Sequence, residues 1–426
     1  MKRYFTLLVV ALLMIATTEA AEPNKFLKSG NDRFSIKVEP FIGAYLMKSG
    51  NMKDIDPNPP SGIHFGIEFP STQQRPWQQY LNTPTVGLGI SYIDLGDKVM
   101  GQALAMYPYI MINGVRSEHF NLKVKIGSGL AGINEHYYTT EDKPIPNKTF
   151  STTINAYLTA GLNLEFPITR NFMINGELGF FHMSNGRMKE PNKGANVLYG
   201  GVGLVATINP TEEEEEQKAI EYPDLPYRWS INLTASSGIH AADQTDPKRF
   251  AIFSLHAGAI YSTCNWHGIG IGADLFYNDA IGNPLTNRGM YITTTERWKR
   301  MRGGLSLNNE FKFGNFTAMV DWGVYLFNPV RNLYNNDHPI YGRGPRPLFY
   351  KSTEVGVNEA FHYIRFGVKY RIFDNIYLQA LAKTHMHICE LIEFGISYQI
   401  PFIEKGRRAN GKKIFHHRKG WWNDYL

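Results

Sequence analysis

The chain has 426 residues, 43% of them hydrophobic and 13% aromatic, with 40 glycines, 24 tyrosines and a formal charge of +6. That charge excludes more than it implies. The segment after Phe402 carries seven Lys and Arg against Glu404 and Asp424, residues 1–20 carry Lys2 and Arg3 against Glu19, and these two pieces account for the whole excess. A nucleic-acid partner would have only one short tail to bind, and the two cysteines, Cys264 and Cys389, make no disulfide scaffold.

The chain opens on MKRYFTLLVVALLMIATTEA, two basic residues followed by an apolar run and small residues. Residues 1–20 read as a secretory signal peptide. No later run approaches the roughly 18 to 20 apolar residues that a spanning helix needs.

From there on the dominant pattern is alternation. Eight candidate strands precede residue 209: RFSIKVEPFIGAYL, HFGIEFP, PTVGLGISYIDL, GQALAMYPYIMING, FNLKVKIGSGLAGI, TTINAYLTAGLNLEFPI, NFMINGELGFFHMS and VLYGGVGLVATI. In the seventh, Ile174, Leu178 and Phe180 fall on one face while Asn175 and Glu177 fall on the other, as a period of two requires. A polar linker with the glutamate run Glu212 to Glu216 follows, read as a solvated connection, and about eight more strands run from YRWSINLTASSG to LIEFGISYQIPF.

Strands of about ten residues with one apolar face, in an exported chain, predict an all-β fold: an antiparallel transmembrane β-barrel of about 8 + 8 strands. One large barrel and two tandem eight-stranded barrels both fit. The predicted organisation is a signal peptide over 1–20, a first barrel repeat over 21–208, an acidic linker over 209–226, a second, degenerate repeat over 227–402 and a basic tail over 403–426. The competing fold is a secreted β-sandwich. Against it stand long polar connections after strands one, five and seven, set beside tight turns at GVRSEH and TR, the asymmetry of an outer-membrane barrel. STQQRPWQQYLNT departs from this, being long where a short turn is expected.

The two halves align without a gap: ITRNFMINGELGFFHMSN lies beside IFDNIYLQALAKTHMHIC, with Asn171 opposite Asn375. In that register Met386 stands where His182 does and Ile388 where Ser184 does, so the second repeat lacks the serine.

His182 and Ser184 share the face of Leu178 and Phe180, and Asn196 opens the next strand on the face of Leu198 and Val202. All three polar residues thus belong to the lipid-facing surface at the outer end of one hairpin, and the substrate this suggests is an outer-leaflet lipid. The trio has the composition of an ester hydrolase: Ser184 as nucleophile, His182 as base and then acid, Asn196 as the group that fixes the imidazole tautomer. Backbone N–H groups at Asn185 and Gly186 are the oxyanion candidates. The bland alternative is a polar strand end in the headgroup layer. Elsewhere, His385, His387, Glu390 and Glu393 invite a metal reading, but Glu390 does not share the histidines' face and no ligand spacing appears, so no metal site is expected. The tail motif HHRKGWW suits either a solvated end or contact with anionic lipid.

The stretch HMSNGRMKEPNKGAN resembles the active-site hairpin of the PagL-type lipid A 3-O-deacylases, an outer-membrane, acyloxyacyl hydrolase-like family of eight-stranded barrels. The matching residues are His182, Ser184, Asn185, Pro191, Asn192 and Gly194, and the resemblance extends in strand count over residues 33 to 208. It implies catalytic roles for His182 and Ser184, with a glutamate as third member where this chain has Asn196. The same stretch is similar to the outer-membrane phospholipase A family at His182, Ser184, Asn185, Gly186, Arg187 and Asn196; that resemblance implies a Ser-His-Asn triad, twelve strands, a calcium cofactor and a dimer. Both point to a serine esterase of the bacterial outer membrane acting on lipid A of lipopolysaccharide or on phospholipid, with no cofactor in the first case and calcium in the second. A non-catalytic porin or structural barrel is the reading from another class.

Overall fold

A computed structural model describes residues 33–46, 52–71, 76–117, 119–137, 146–208, 225, 227–241, 248–280, 297–327, 362–385 and 388–402. The predicted signal peptide, the glutamate run, Met386, His387 and the basic tail lie outside them. The first eight strands are β1 (Phe34–Tyr45), β2 (Ser61–Pro70), β3 (Thr85–Asp94), β4 (Gln102–Arg116), β5 (Asn121–Ile133), β6 (Ile154–Pro167), β7 (Phe172–Ser184) and β8 (Ala195–Ile208). The second eight are β9 (Trp229–Ala241), β10 (Arg249–Ser262), β11 (His267–Asn278), β12 (Met301–Phe313), β13 (Phe316–Phe327), β14 (His362–Phe373), β15 (Ile376–His385) and β16 (Ile388–Phe402).

These strands form two closed antiparallel barrels of eight, which decides between the two architectures the sequence allowed. The first closes by pairing β1 with β8, from Phe34↔Ile208 to Tyr45↔Val197, and the second by pairing β16 with β9, from Phe402↔Trp229 to Phe394↔Ser237. The repeat register is visible in the backbone. Thr207 N–H donates to the Asn171 carbonyl at 2.7 Å in the first barrel, and Gln399 N–H donates to the Asn375 carbonyl at 2.8 Å in the second.

The strands are inverted relative to those of a soluble sheet. On β3, Val86, Leu88, Ile90 and Tyr92 point outward and are exposed, while Gly87, Gly89, Ser91 and Ile93 point into the lumen and are buried. The same holds around both barrels, so the outer wall is apolar and the polar residues are inside, as a lipid-facing barrel requires. No helix among the described residues is long and apolar enough to cross a membrane.

The lumens are packed cores rather than channels. In the first, Glu177 accepts from Lys37 at 2.7 Å, from Lys125 at 2.7 Å and from the Tyr199 hydroxyl; Lys123 pairs with Glu165 at 2.8 Å and the Tyr109 hydroxyl donates to Glu68 at 2.8 Å. Against this ionic layer pack Phe41, Tyr107, Tyr157, Phe181 and Tyr199, all buried. In the second barrel Asp274 is the hub, accepting from Arg365, Ser306 and Tyr363 at 2.7 Å each and contacting His256 Nδ1 at 2.8 Å. Eight strands leave an interior just wide enough for side chains to fill, which disfavours the porin reading.

The connection over 71–84, already long in the sequence where a barrel predicts a short turn, carries a helical turn, α1 (Pro76–Tyr80). It reaches the second barrel: Asn265 Nδ2, in the β10–β11 turn, donates to the Tyr80 hydroxyl at 3.0 Å. Cys264 lies in that same turn and Cys389 at the start of β16, at opposite ends of the barrel, and both thiols are free.

Replacing Glu177 with Ala leaves Lys125 and Lys37 without their shared carboxylate inside a packed lumen, with only Glu39 still beside Lys37, and removing one partner of a buried ionic network costs about 3 kcal/mol or more. Urea unfolding in detergent micelles, followed by tryptophan fluorescence, should register that loss; a change below about 1 kcal/mol would mean that the ionic layer is incidental to stability.

Candidate active site

His182 and Ser184 end β7, and Asn196 is the second residue of β8, directly across the ladder from His182. Opposed residues on antiparallel strands have Cβ atoms about 5 Å apart, the separation a ring and a short amide can bridge. His182 Nδ1 lies 2.8 Å from Asn196 Oδ1, and His182 Nε2 lies 2.8 Å from Ser184 Oγ. With the amide oxygen facing the ring, Nδ1 carries the proton, so Nε2 is bare and accepts from the Ser184 hydroxyl. This is the tautomer a general base needs. The odd residues Phe181, Met183, Ala195 and Val197 point the other way and are wholly buried in the lumen, which fixes both strands beneath the trio.

After Ser184 the chain turns sharply. Gly186 and Arg187 both have left-handed backbones, at φ 60° and 61°. This turn brings the Gly186 N–H to within 3.4 Å of Ser184 Oγ. The other oxyanion candidate is occupied: Asn185 N–H donates to Asn192 Oδ1 at 3.3 Å. Of the two donors named from the sequence, Gly186 is thus the one directed at the serine.

The loop is strapped from a side that the sequence did not reveal. Asn185 Nδ2 donates to Ser151 Oγ at 2.8 Å and to the Lys189 carbonyl at 3.0 Å, and Ser151 Oγ donates to that same carbonyl at 2.7 Å. Gly194 N–H donates to the Thr149 carbonyl at 3.0 Å, while the Asn147 side chain caps the N–H groups of Thr149 and Phe150. Asn147, Thr149 and Ser151 lie in the β5–β6 connection, far from the hairpin in sequence, and no local motif marks them. Arg187 is held within the hairpin, donating to Glu190 at 2.8 Å.

Of the four residues considered for a metal, the two glutamates form ion pairs and His387 lies outside the described residues. Glu390 meets Arg302 and Lys383, Glu393 lies 3.5 Å from Arg365, and no group of His, Cys, Asp or Glu suited to a metal occurs among the described residues.

Residues 61–204 match the family model described as "Lipid A 3-O-deacylase (PagL)", and residues 229–343 match the one described as "Acyloxyacyl hydrolase, C-terminal domain". The chain belongs to the PagL family. The first match contains His182, Ser184 and Asn196; the second begins with β9 and so covers the other barrel of this PagL-family chain. Among solved structures the chain is similar to the outer membrane enzyme PagL, at 16% identity over 40% of this chain and 98% of that one, with a TM-score of 0.25. It is also similar to the N-terminal barrel of Pseudomonas aeruginosa OprF (15%, 41% and 97%, TM-score 0.24) and to Neisserial surface protein A (6%, 41% and 95%, TM-score 0.25). No curated protein matches it.

Gly194 packs against the trio. A Cβ there would stand 3.1 Å from His182 Cε1 and from Ser184 Cβ, on a backbone at φ 66° that side chains rarely adopt. Gly194→Ala should therefore push the imidazole off Ser184 Oγ and slow covalent labelling of Ser184 by a fluorophosphonate by about tenfold or more, equal to about 1.4 kcal/mol in the barrier. Unchanged labelling would mean that the pair tolerates displacement.

Proposed function

We propose that the chain is an outer-membrane serine esterase that removes an ester-linked acyl chain from lipid A. The observation that carries this reading is the continuous Ser184–His182–Asn196 hydrogen-bonded chain on the outward wall of an apolar-faced barrel. A nucleophile at that place faces away from the lumen, under the cover of its own hairpin.

Ser184 Oγ attacks the ester carbonyl carbon while its proton passes to His182 Nε2. The carbonyl electrons move onto oxygen, and the Gly186 N–H stands ready to receive that charge. Collapse breaks the bond to the sugar oxygen, which takes the proton from His182 and leaves an acyl group on Ser184. Water, deprotonated in turn by His182, releases the fatty acid and restores the hydroxyl. Asn196 holds Nδ1–H throughout. It lacks the charge that would stabilise the imidazolium fully, so its contribution is orientation.

The wall below the trio supplies room for an acyl chain. Gly176 and Gly200 form a dip among Ile42, Leu162, Leu178 and Val202, and a Cβ on Gly200 would meet nothing within 4 Å. Leu178 is six residues from Ser184 on one strand, roughly 20 Å at the rise of a β-strand. An ester seated at Ser184 can therefore lay its chain along the barrel.

The eight-stranded barrel and the family match support the deacylase over the phospholipase reading, and we propose that the reaction uses no calcium. The test is mass spectrometry of lipid A and phospholipids from membranes expressing wild-type chain, Ser184→Ala, Asn196→Ala or Asn196→Asp, with the wild-type reaction repeated in EDTA. Wild type should remove one ester-linked chain from lipid A with or without EDTA, and Ser184→Ala none. Loss of the orienting group should slow turnover by about 10² to 10⁴, whereas Asn196→Asp keeps the acceptor and the rate. Lysophospholipid as the product, or abolition by EDTA, would move the assignment to a phospholipase; lipid pools identical to those of Ser184→Ala would leave a non-catalytic barrel.

A further inference from the structure

The loop that carries the Gly186 N–H is gripped by the second barrel. The β16–β9 ladder stops at Phe394↔Ser237, four residues short of the end of β9. At that end Ala241 N–H donates at 2.9 Å to the carbonyl of Arg187, on the catalytic hairpin of the first barrel. On the next strand Arg249 Nε donates at 2.9 Å to the carbonyl of Met188. From β16 the Ile392 side chain fills the space in front of Gly186, where an added Cβ would overlap Ile392 Cγ1 and Cδ1. Three neighbouring strands of one barrel thus hold three consecutive residues of the other.

The held segment is conformationally unusual. Gly186 and Arg187 are both left-handed, and for arginine that region is sparsely populated, so the turn persists only where its surroundings impose it. The first barrel holds the loop through Asn185, the Arg187–Glu190 pair and the Met188 N–H to the Asn185 carbonyl, and the second adds contacts to 186, 187 and 188 from outside the hairpin. The Gly186 N–H direction, 3.4 Å from Ser184 Oγ, depends on this turn.

We infer that the second barrel is a positioning element for the esterase site of the first: Ile392, the Ala241 N–H and Arg249 set the turn over 186–188 and so aim the Gly186 N–H at the developing oxyanion. This rests on the serine esterase reading. It gives the barrel that lacks a counterpart of Ser184 a part in catalysis that involves no contact with the reacting atoms.

The experiment uses the full chain in detergent micelles, with a chromogenic acyl ester as substrate and heat-modifiable gel mobility as the check on folding. Ile392→Ala should lower kcat about tenfold with KM within twofold of wild type, and slow fluorophosphonate labelling of Ser184 in parallel. Ile392→Val, which keeps the branched contact, should retain at least half of kcat. Arg249→Met should lower kcat about threefold. Should Ile392→Ala fail to fold, Arg249→Met and Ile392→Val decide the matter. Wild-type kcat in Ile392→Ala and Arg249→Met, or a loss confined to KM, overturns the positioning role while Ser184→Ala remains inactive. Activity surviving in Ser184→Ala would instead overturn the esterase reading beneath it.

Discussion

The constraint on which the rest of the structure depends is closure of an inside-out sheet. An apolar environment offers a strand no partner for its N–H and C=O groups, so each barrel pairs its last strand with its first and leaves no edge. Once the wall is closed and its apolar side faces out, every polar residue of the alternation must be satisfied in the lumen. Glu177 between Lys37 and Lys125, and Asp274 between Arg365, Ser306 and Tyr363, answer that requirement. A filled lumen also makes the wall rigid. Chemistry that needs a fixed serine can then be mounted on the outside, at a strand end where polar atoms reach the headgroup layer.

Register carries that rigidity to the site. A one-residue slip between β7 and β8 would put Asn196 out of line with His182, and a one-residue shift of the strand's facing would turn His182 and Ser184 into the lumen. The buried set Phe181, Met183, Ala195 and Val197 forbids both, because each member fills the tightly packed core under the rim. The trio is thus held less by its own two hydrogen bonds than by residues on the opposite face of the same strands. The β5–β6 connection adds the last restraint through Ser151 and Thr149, which fix the loop after the serine.

How much of this was legible in the sequence follows from the range of the forces involved. Period-two alternation is local, so the strand count, the outward face of Leu178 and Phe180, and the common face of His182 and Ser184 could be read directly. So could the face of Asn196, because it opens the next strand in the same alternation; its place directly across from His182 is set by the ten-residue loop between them. The number of barrels was not legible, since it depends on whether β8 pairs with β1 or with β9, and residues so far apart leave no pattern. Ser151 and Asn147 were hidden for the same reason. The connection over 71–84 defied the expectation of a short turn because its length serves a contact with Asn265 on the other barrel, which no local signal announces. The two oxyanion donors were indistinguishable by spacing. What separates them is the side chain of Asn192, which occupies the Asn185 N–H after the loop folds back.

The duplicated architecture also bears on why a barrel with no counterpart of Ser184 accompanies the one that carries it. The two copies share their turn chemistry, with Asn171 and Asn375 receiving the same backbone bond from the last strand, yet their interiors differ. The first lumen stacks aromatic rings beneath the rim that carries Ser184; the second centres on Asp274 and its cations. The second copy retains closure and an apolar outer wall. An outer rim whose β9–β16 ladder stops before the end of β9 offers backbone donors sideways, and the loop beside Ser184 supplies carbonyls there. Each barrel thereby completes the other: the second gains a partner for the Ala241 N–H, and the first gains outside support for a left-handed turn that its own hairpin holds through Asn185, Ser184 and Glu190.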